Sequence, residues 1–251
     1  MDITMPLAFP IDEFRAFLSA ASRFLAKLLS DEDLNDPLQR KRHFDWSWQA
    51  VRYRYRSCAE ANDEFKALLG SASEWWKAGW GDEEMTYRLE RCIYTFFMSG
   101  LSVFDSFAFC LYYLGNALNP AEFPCVVTPR KISRERTAKA FGKAFPTASV
   151  TSALVALGDD PRFQMLDHVR NLVAHRLSGR RSASAGSIMN ADGTFTERWH
   201  KEKWHIPGIS GELMFDEDLL QRQLDDITDT LKPIVDAARE FAEAQPAQAS
   251  T

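Results

Sequence analysis

Apolar residues recur every three or four positions along most of this chain, the period of an amphipathic α-helix, and the stripes they form predict its elements. Phe14, Phe17, Leu18, Ala21, Phe24, Leu25, Leu28 and Leu29 mark a first helix over about 12 to 30, with Asp12 placed to cap it. Pro37 and a dense run of charge make residues 31–42 a loop. Phe44, Trp48, Val51, Tyr55, Cys58, Phe65 and Leu69 continue the helical spacing over about 45 to 69. Its opening, Trp46-Ser47-Trp48 and Arg52-Tyr53-Arg54-Tyr55-Arg56, also alternates as a strand does, but the three-and-four spacing persists for longer. After a linker with Gly70, Gly79 and Gly81 comes the longest helical pattern, about 82 to 117, followed by a loop marked by Pro120, Pro124 and Pro129.

Shorter helices are expected over about 133 to 144 and 149 to 157, and Pro161 stands where a first helical turn tolerates proline. The helix it opens ends at Gly179. Residues 180–211 are rich in Ser, Gly and turn formers such as Asn190-Ala191-Asp192-Gly193, with Thr194-Phe195-Thr196 and Trp204-His205-Ile206 as short strands, so a hairpin or an ordered loop is expected. A last helix covers about 216 to 243, kinked at Pro233, and 244–251 reads as a frayed tail. The fold class that follows is all-α: a helical bundle with a small hairpin or ordered-loop insertion between its last two core helices. No repeat of domain-building length is visible.

Residues 93–114 are apolar over nearly the length of a membrane span, yet Asp105 sits inside them among Ser99, Gly100, Ser102 and Ser106. A charge at that depth is costly in lipid, so a buried core helix is expected and no membrane partner. The 251 residues are 45% hydrophobic and 12% aromatic, ample for a packed core, and the net charge of −5 argues against a generally basic nucleic-acid coat. Cys58, Cys92, Cys110 and Cys125 are widely spaced, without ligand spacing, and no secretory leader is recognised. Reduced thiols and a cytoplasmic location are the expectation.

The chemistry gathers in one hexamer, Arg170-Asn171-Leu172-Val173-Ala174-His175, followed at once by Arg176. A guanidinium forks onto phosphate oxygens and an imidazole titrates near neutrality, a pairing suited to proton transfer beside a phosphodiester. Wound as a helix, Phe163, Leu166, Arg170, Val173 and Leu177 share one stripe, while Gln164, His168, Asn171 and His175 share its neighbour. Asn171 and His175 are i,i+4 neighbours, but Arg170 and His175 leave the helix about 140° apart. They converge if the arginine stem bends round or if two copies of the helix share one site. The plain alternative is an arginine whose stem packs while its head pairs with an acid, Asp105 being the natural partner.

Arg130, Lys131, Arg134, Arg136, Lys139 and Lys143 form a basic run that Arg176, Arg180 and Arg181 extend toward the hexamer. Such a run holds an RNA backbone or is simply a solvated face. Trp199-His200 and Trp204-His205 suit base stacking or plain packing better than a metal site, because no tight ligand set accompanies them beyond Glu202. There is no P-loop, no Gly-rich dinucleotide fingerprint and no catalytic-triad order. The acidic residues sit mainly on exposed helical faces.

An arginine, a polar residue, three more residues and a histidine late in an all-helical bundle resembles the HEPN superfamily, whose Arg-x4-6-His motif is matched here by Arg170, Asn171 and His175. The long helix with Phe104-Asp105-Ser106 also looks like the first core helix of such domains. The resemblance covers residues 82–243, with 1–80 as an N-terminal helical extension packed on that core. It implies a homodimer through the motif helix and metal-independent endoribonuclease chemistry with no cofactor. His175 would move a proton, Arg170 would stabilise phosphate charge and Asn171 would orient either, with Asp105, His168 and Arg176 in support and Arg130, Lys131, Arg134, Arg180 and Arg181 along the RNA. It also implies roles in toxin action or antiviral defence with an antitoxin, or, for members without cleavage activity, RNA binding or pairing with a nucleotidyltransferase.

Overall fold

The structure, a computed structural model, describes residues 9–28, 40–70, 82–124, 131–175, 180–205 and 218–245, with backbone alone for 24, 26–28, 82, 175, 180–188 and 195–205. These form α1 (Ile11–Leu28), α2 (Arg40–Gly70), α3 (Asp82–Leu118), α4 (Arg134–Ala144), α5 (Ser149–Asp159), α6 (Pro161–His175), strands β1 (Arg180–Met189) and β2 (Phe195–His205), and α7 (Leu219–Ala244). The architecture is an all-α bundle with a β-hairpin inserted between its last two helices.

α3 is the axis of the bundle, packed against α1, α2, α4, α6 and α7, while α1 closes on α7 and α5 bridges α4, α6 and α7. Residues Glu83–Leu118 are long and apolar enough, by length and composition, to cross a bilayer; their most apolar window is 61% buried against the other helices. The stripes read from the sequence converge on one continuous core running from Phe9 to Ala242. Its middle is aromatic. Phe14 and Phe17 of α1 meet Phe107 of α3 at ring distances of 5.4 and 5.5 Å, and Phe17 reaches Phe44 of α2 at 6.2 Å. Burying each such ring is worth about 2 to 3 kcal/mol, so these contacts help to tie α1 and α2 to α3.

A second aromatic group closes the far end. The turn after α3 drops Phe123 onto Tyr112 and Phe141, at 5.4 and 4.9 Å, and Phe241 of α7 completes the cluster. Gly115 makes room for this turn: a Cβ there would lie 2.5 Å from the Phe123 ring. Tyr112 donates to the Pro124 carbonyl at 2.8 Å, and the Asn116 amide donates to the Phe123 carbonyl.

α2 begins at Arg40, so the last residues of the expected 31–42 loop are helical. Side-chain pairs one turn apart extend it: Lys41 Nζ lies 3.1 Å from Asp45, and the Arg42 guanidinium sits 4.1 Å from the Trp46 ring centre. The strand-like alternation at 46–56 is helical throughout. Here Tyr55 is buried and Tyr53 half exposed because the helical period, not the twofold one, decides which ring meets the core. α7 starts at Leu219, three residues later than the 216 expected, and continues as one helix across Pro233.

The hairpin strands pair antiparallel from Arg180 opposite His205 to Met189 opposite Phe195, with an irregularity between Ser182 and Ser184. Both strands are longer than the short runs expected. Their turn is the one the sequence marks: Gly193 takes φ +78°, the Asn190 amide donates to the Thr194 carbonyl at 2.7 Å, and Asp192 Oδ1 accepts from the Thr194 amide at 2.9 Å.

Candidate functional site

The hexamer lies on the last turns of α6, so the site is built by whatever places that helix. Asp160 caps it: Oδ1 accepts from the Arg162 amide at 2.8 Å, and the Arg162 guanidinium folds back onto the same carboxylate at 3.1 and 2.8 Å. These bonds hold the Asp160 carboxyl below the usual aspartate range. Pro161 follows as the first helical residue. Phe163, Leu166 and Val169 are buried, and Phe163 meets Phe104 of α3 edge-on at 5.2 Å. Gly100 of α3 permits the approach, since a Cβ there would stand 2.9 Å from Ile227 and 3.2 Å from Leu166.

On this frame the polar side chains converge on an acid that the sequence reading passed over, Asp167. The Arg170 guanidinium, one quarter exposed, lies 3.7 Å from Asp167 Oδ1, and the Asn171 amide donates to Oδ2 at 3.3 Å. Arg134 of α4 reaches the same Oδ1 at 3.8 Å. Asn171 therefore spends its amide one turn back, on Asp167. Asp167 stands three residues before Arg170 and four before Asn171, a spacing that was readable.

Asp105 does not pair directly with Arg170. Its Oδ1 lies 2.8 Å from Arg134 Nε, an ion pair without an aligned N–H, since that Nε has no hydrogen-bond partner. Nearly half of the Asp105 side-chain surface is open, yet the packed wall behind it removes enough water to push its carboxyl above the usual range, against the pull first of Arg134 and then of Arg170. Arg134, expected in a basic run along RNA, is instead 15% exposed and turned inward, its guanidinium 4.4 Å from the Phe163 ring centre. Asp105, Arg134, Asp167 and Arg170 thus form a chain of alternating charge from α3 through α4 to α6.

The other expected residues are scattered. His168 and Lys131 are exposed. Arg180 and Arg181 lie in β1 opposite His205 and Trp204, while His175 is the last residue of α6. Their side chains, with Arg130 and Arg176 entirely, lie outside the described residues, as do the side chains of Trp199, His200, Glu202, Trp204 and His205. Among the described residues no three His, Cys, Asp or Glu side chains gather as a metal site. The described thiols offer no nucleophile: burial raises Cys58 and Cys110 and pushes Cys92 up to about 11.

Behind Asp105, between α2 and α3, opens a cavity of about 330 Å³ lined by His43, Trp46, Ser47, Ala50, Arg54, Asp105, Ser106, Phe109 and Ile132. His43 stacks on Tyr113 at 4.8 Å and meets Phe109 and Trp46 edge-on at 6.0 and 6.2 Å. Arg54 donates to the Ser102 carbonyl at 3.1 Å; burial lowers its basicity, partly offset by the nearby Asp105 charge. No local pattern announces this cavity, because its walls are more than 50 residues apart in sequence.

Comparison with protein-family models, with curated proteins and with solved structures finds no match for this chain.

Proposed function

We propose that the protein is a metal-independent endoribonuclease of the HEPN type, acting through the α6 motif. The observation that carries this is the Asp167 carboxylate, which holds the Arg170 guanidinium and the Asn171 amide together on one rigid turn, with His175 one further turn along. A guanidinium held in place costs less to order when a phosphate arrives than a free one does. The ribose 2′-hydroxyl attacks the adjacent phosphorus, the P–O5′ bond breaks, and the products carry a 2′,3′-cyclic phosphate and a 5′-hydroxyl. His175 moves the proton between these oxygens, Arg170 offsets the charge on the phosphate, and Asn171 orients its neighbours. Exposed Lys131 and the Arg180–Arg181 pair extend the contact to the RNA backbone.

One observation favours a second function, a non-catalytic helical module for RNA or a protein partner such as an antitoxin or a nucleotidyltransferase. Both inner arginines already face carboxylates, Arg134 with Asp105 and Asp167, and Arg170 with Asp167, so little uncompensated positive charge remains for a phosphate.

Incubating the protein with single-stranded RNA in EDTA, beside Arg170→Ala and His175→Ala, decides between them. Cyclic-phosphate ends, lost by a factor of about 100 or more in both variants, are the expected result. Cleavage that needs added metal, or that survives both substitutions, rules out the metal-independent mechanism through the α6 motif. RNA retained without cleavage supports the module.

A further inference from the structure

We propose that the cavity between α2 and α3 is a binding site for a purine base, guanine in preference to adenine. This goes beyond the nuclease activity and does not depend on it.

Size comes first. At about 330 Å³ the cavity falls at the lower end of the roughly 300–1,000 Å³ of small-molecule pockets, room for a base with part of its sugar rather than for a peptide. Its sides are aromatic and flat: His43, Trp46 and Phe109 offer ring faces and edges, and Trp46 is 50% exposed at the mouth. Such surfaces take any planar heterocycle.

The polar groups narrow the choice. Ser47 and Ser106 both sit at the buried end, 6% and 4% exposed. The Ser47 hydroxyl is spent on its own helix, 2.7 Å from the His43 carbonyl and 2.8 Å from that of Phe44. The Ser106 hydroxyl has no hydrogen-bond partner at all. Buried as well as unpaired, its oxygen is shut off from the open space and takes no part in recognition. Asp105 and Arg54, which do have open surface, carry that part. An ionised carboxylate only accepts, so Asp105 calls for a ligand edge rich in N–H, while Arg54, with one guanidinium nitrogen on Ser102, retains donors for an acceptor edge. Guanine presents both, N1–H and N2–H2 on one edge and O6 and N7 on another. Adenine lacks the paired donors, and the pyrimidines fill less of the space.

Asp105 also joins the cavity to the motif through Arg134 and Asp167, so a base seated here and a phosphate at Arg170 would be sensed by one charge network. The base is either part of an RNA strand or carried by a free nucleotide; the recognition chemistry is the same.

Isothermal titration of the full chain in EDTA with GMP, AMP, CMP and ribose 5-phosphate tests this without any cleavage. GMP is expected to bind, AMP more weakly, and ribose 5-phosphate not at all. Arg54→Ala and Trp46→Ala are each expected to weaken GMP about 5-fold or more, and Asp105→Asn to erase the preference over AMP. Circular dichroism and thermal unfolding verify that each variant is folded. No GMP binding at millimolar concentration, equal binding of ribose 5-phosphate, AMP tighter than GMP, or affinity unchanged in both Arg54→Ala and Trp46→Ala would each overturn the proposal. Displacement of GMP by a short guanine-containing RNA on the Arg170→Ala variant assigns the site to a strand; its absence assigns it to free nucleotide. RNA cleavage without GMP binding overturns the pocket alone, and GMP binding without cleavage overturns the nuclease alone.

Discussion

Ser106 is a polar residue that the core leaves unsatisfied. Its hydroxyl is buried without a partner, and an unsatisfied buried polar group costs about 1 to 3 kcal/mol. Alanine removes the hydroxyl, leaves the small space it occupied, and has the higher helix propensity at a position deep within α3. Ser106→Ala is therefore expected to stabilise the protein by about 1 kcal/mol in urea unfolding. A destabilised Ser106→Ala would mean that the hydroxyl serves the fold. Asp167 makes the complementary point. Its carboxylate gathers Arg170, Asn171 and Arg134, and the first two contacts follow from helix spacing, whereas the third joins residues 33 apart in the chain and is legible only once α4 and α6 pack together.

Among the elements, α6 depends most on a single side chain, its cap. Asp160 satisfies the Arg162 amide and binds the Arg162 guanidinium, so Asp160→Ala is expected to cost about 1 kcal/mol, read by denaturant unfolding at pH 7. The pH dependence has a definite sign. The folded carboxyl is held below its unfolded value, so its contribution is complete above the ordinary aspartate range and fades as pH falls through that range toward the depressed value. The gap between the wild type and Asp160→Ala should accordingly narrow in acid; a gap independent of pH would show that the charge of Asp160 is irrelevant. Much of this scale was legible in the sequence: each of the seven helical stripes has its helix among the described residues, and Asn190-Ala191-Asp192-Gly193 gives the hairpin turn. The errors fall at ends. Arg40–Arg42 read as loop because charge masks helicity, and what holds that turn is local pairing, Lys41 with Asp45 and Arg42 with Trp46. The cap at Asp160 was passed over because Pro161 beside it already marked a helix start. Arg134 has the look of a solvated basic run in the sequence, and only the Phe163 ring and the Asp105 carboxylate that the fold sets beside it turn it inward.

At the scale of the whole molecule, the proposed nuclease needs Arg170 and His175 to meet at one phosphate from directions about 140° apart on a single helix. The buried face of α6 is fully committed to α3, α5 and α7, but Gln164, His168 and Asn171 face outward and are exposed, which leaves that side of the helix available to a second copy. A twofold axis beside α6 would bring Arg170 of one copy toward His175 of the other and build two equivalent sites from one surface. Mixing the two inactive variants tests this directly. In a heterodimer of Arg170→Ala with His175→Ala, one composite site loses both groups and the other keeps both. If the copies exchange freely, half the dimers are mixed and each retains one site of two, so cleavage should recover to about a quarter of the wild-type rate. Sites contained within one chain predict no recovery, because every chain in the mixture lacks one group. Sedimentation at the assay concentration, showing a dimer for each variant alone, makes the absence of recovery as decisive as its presence.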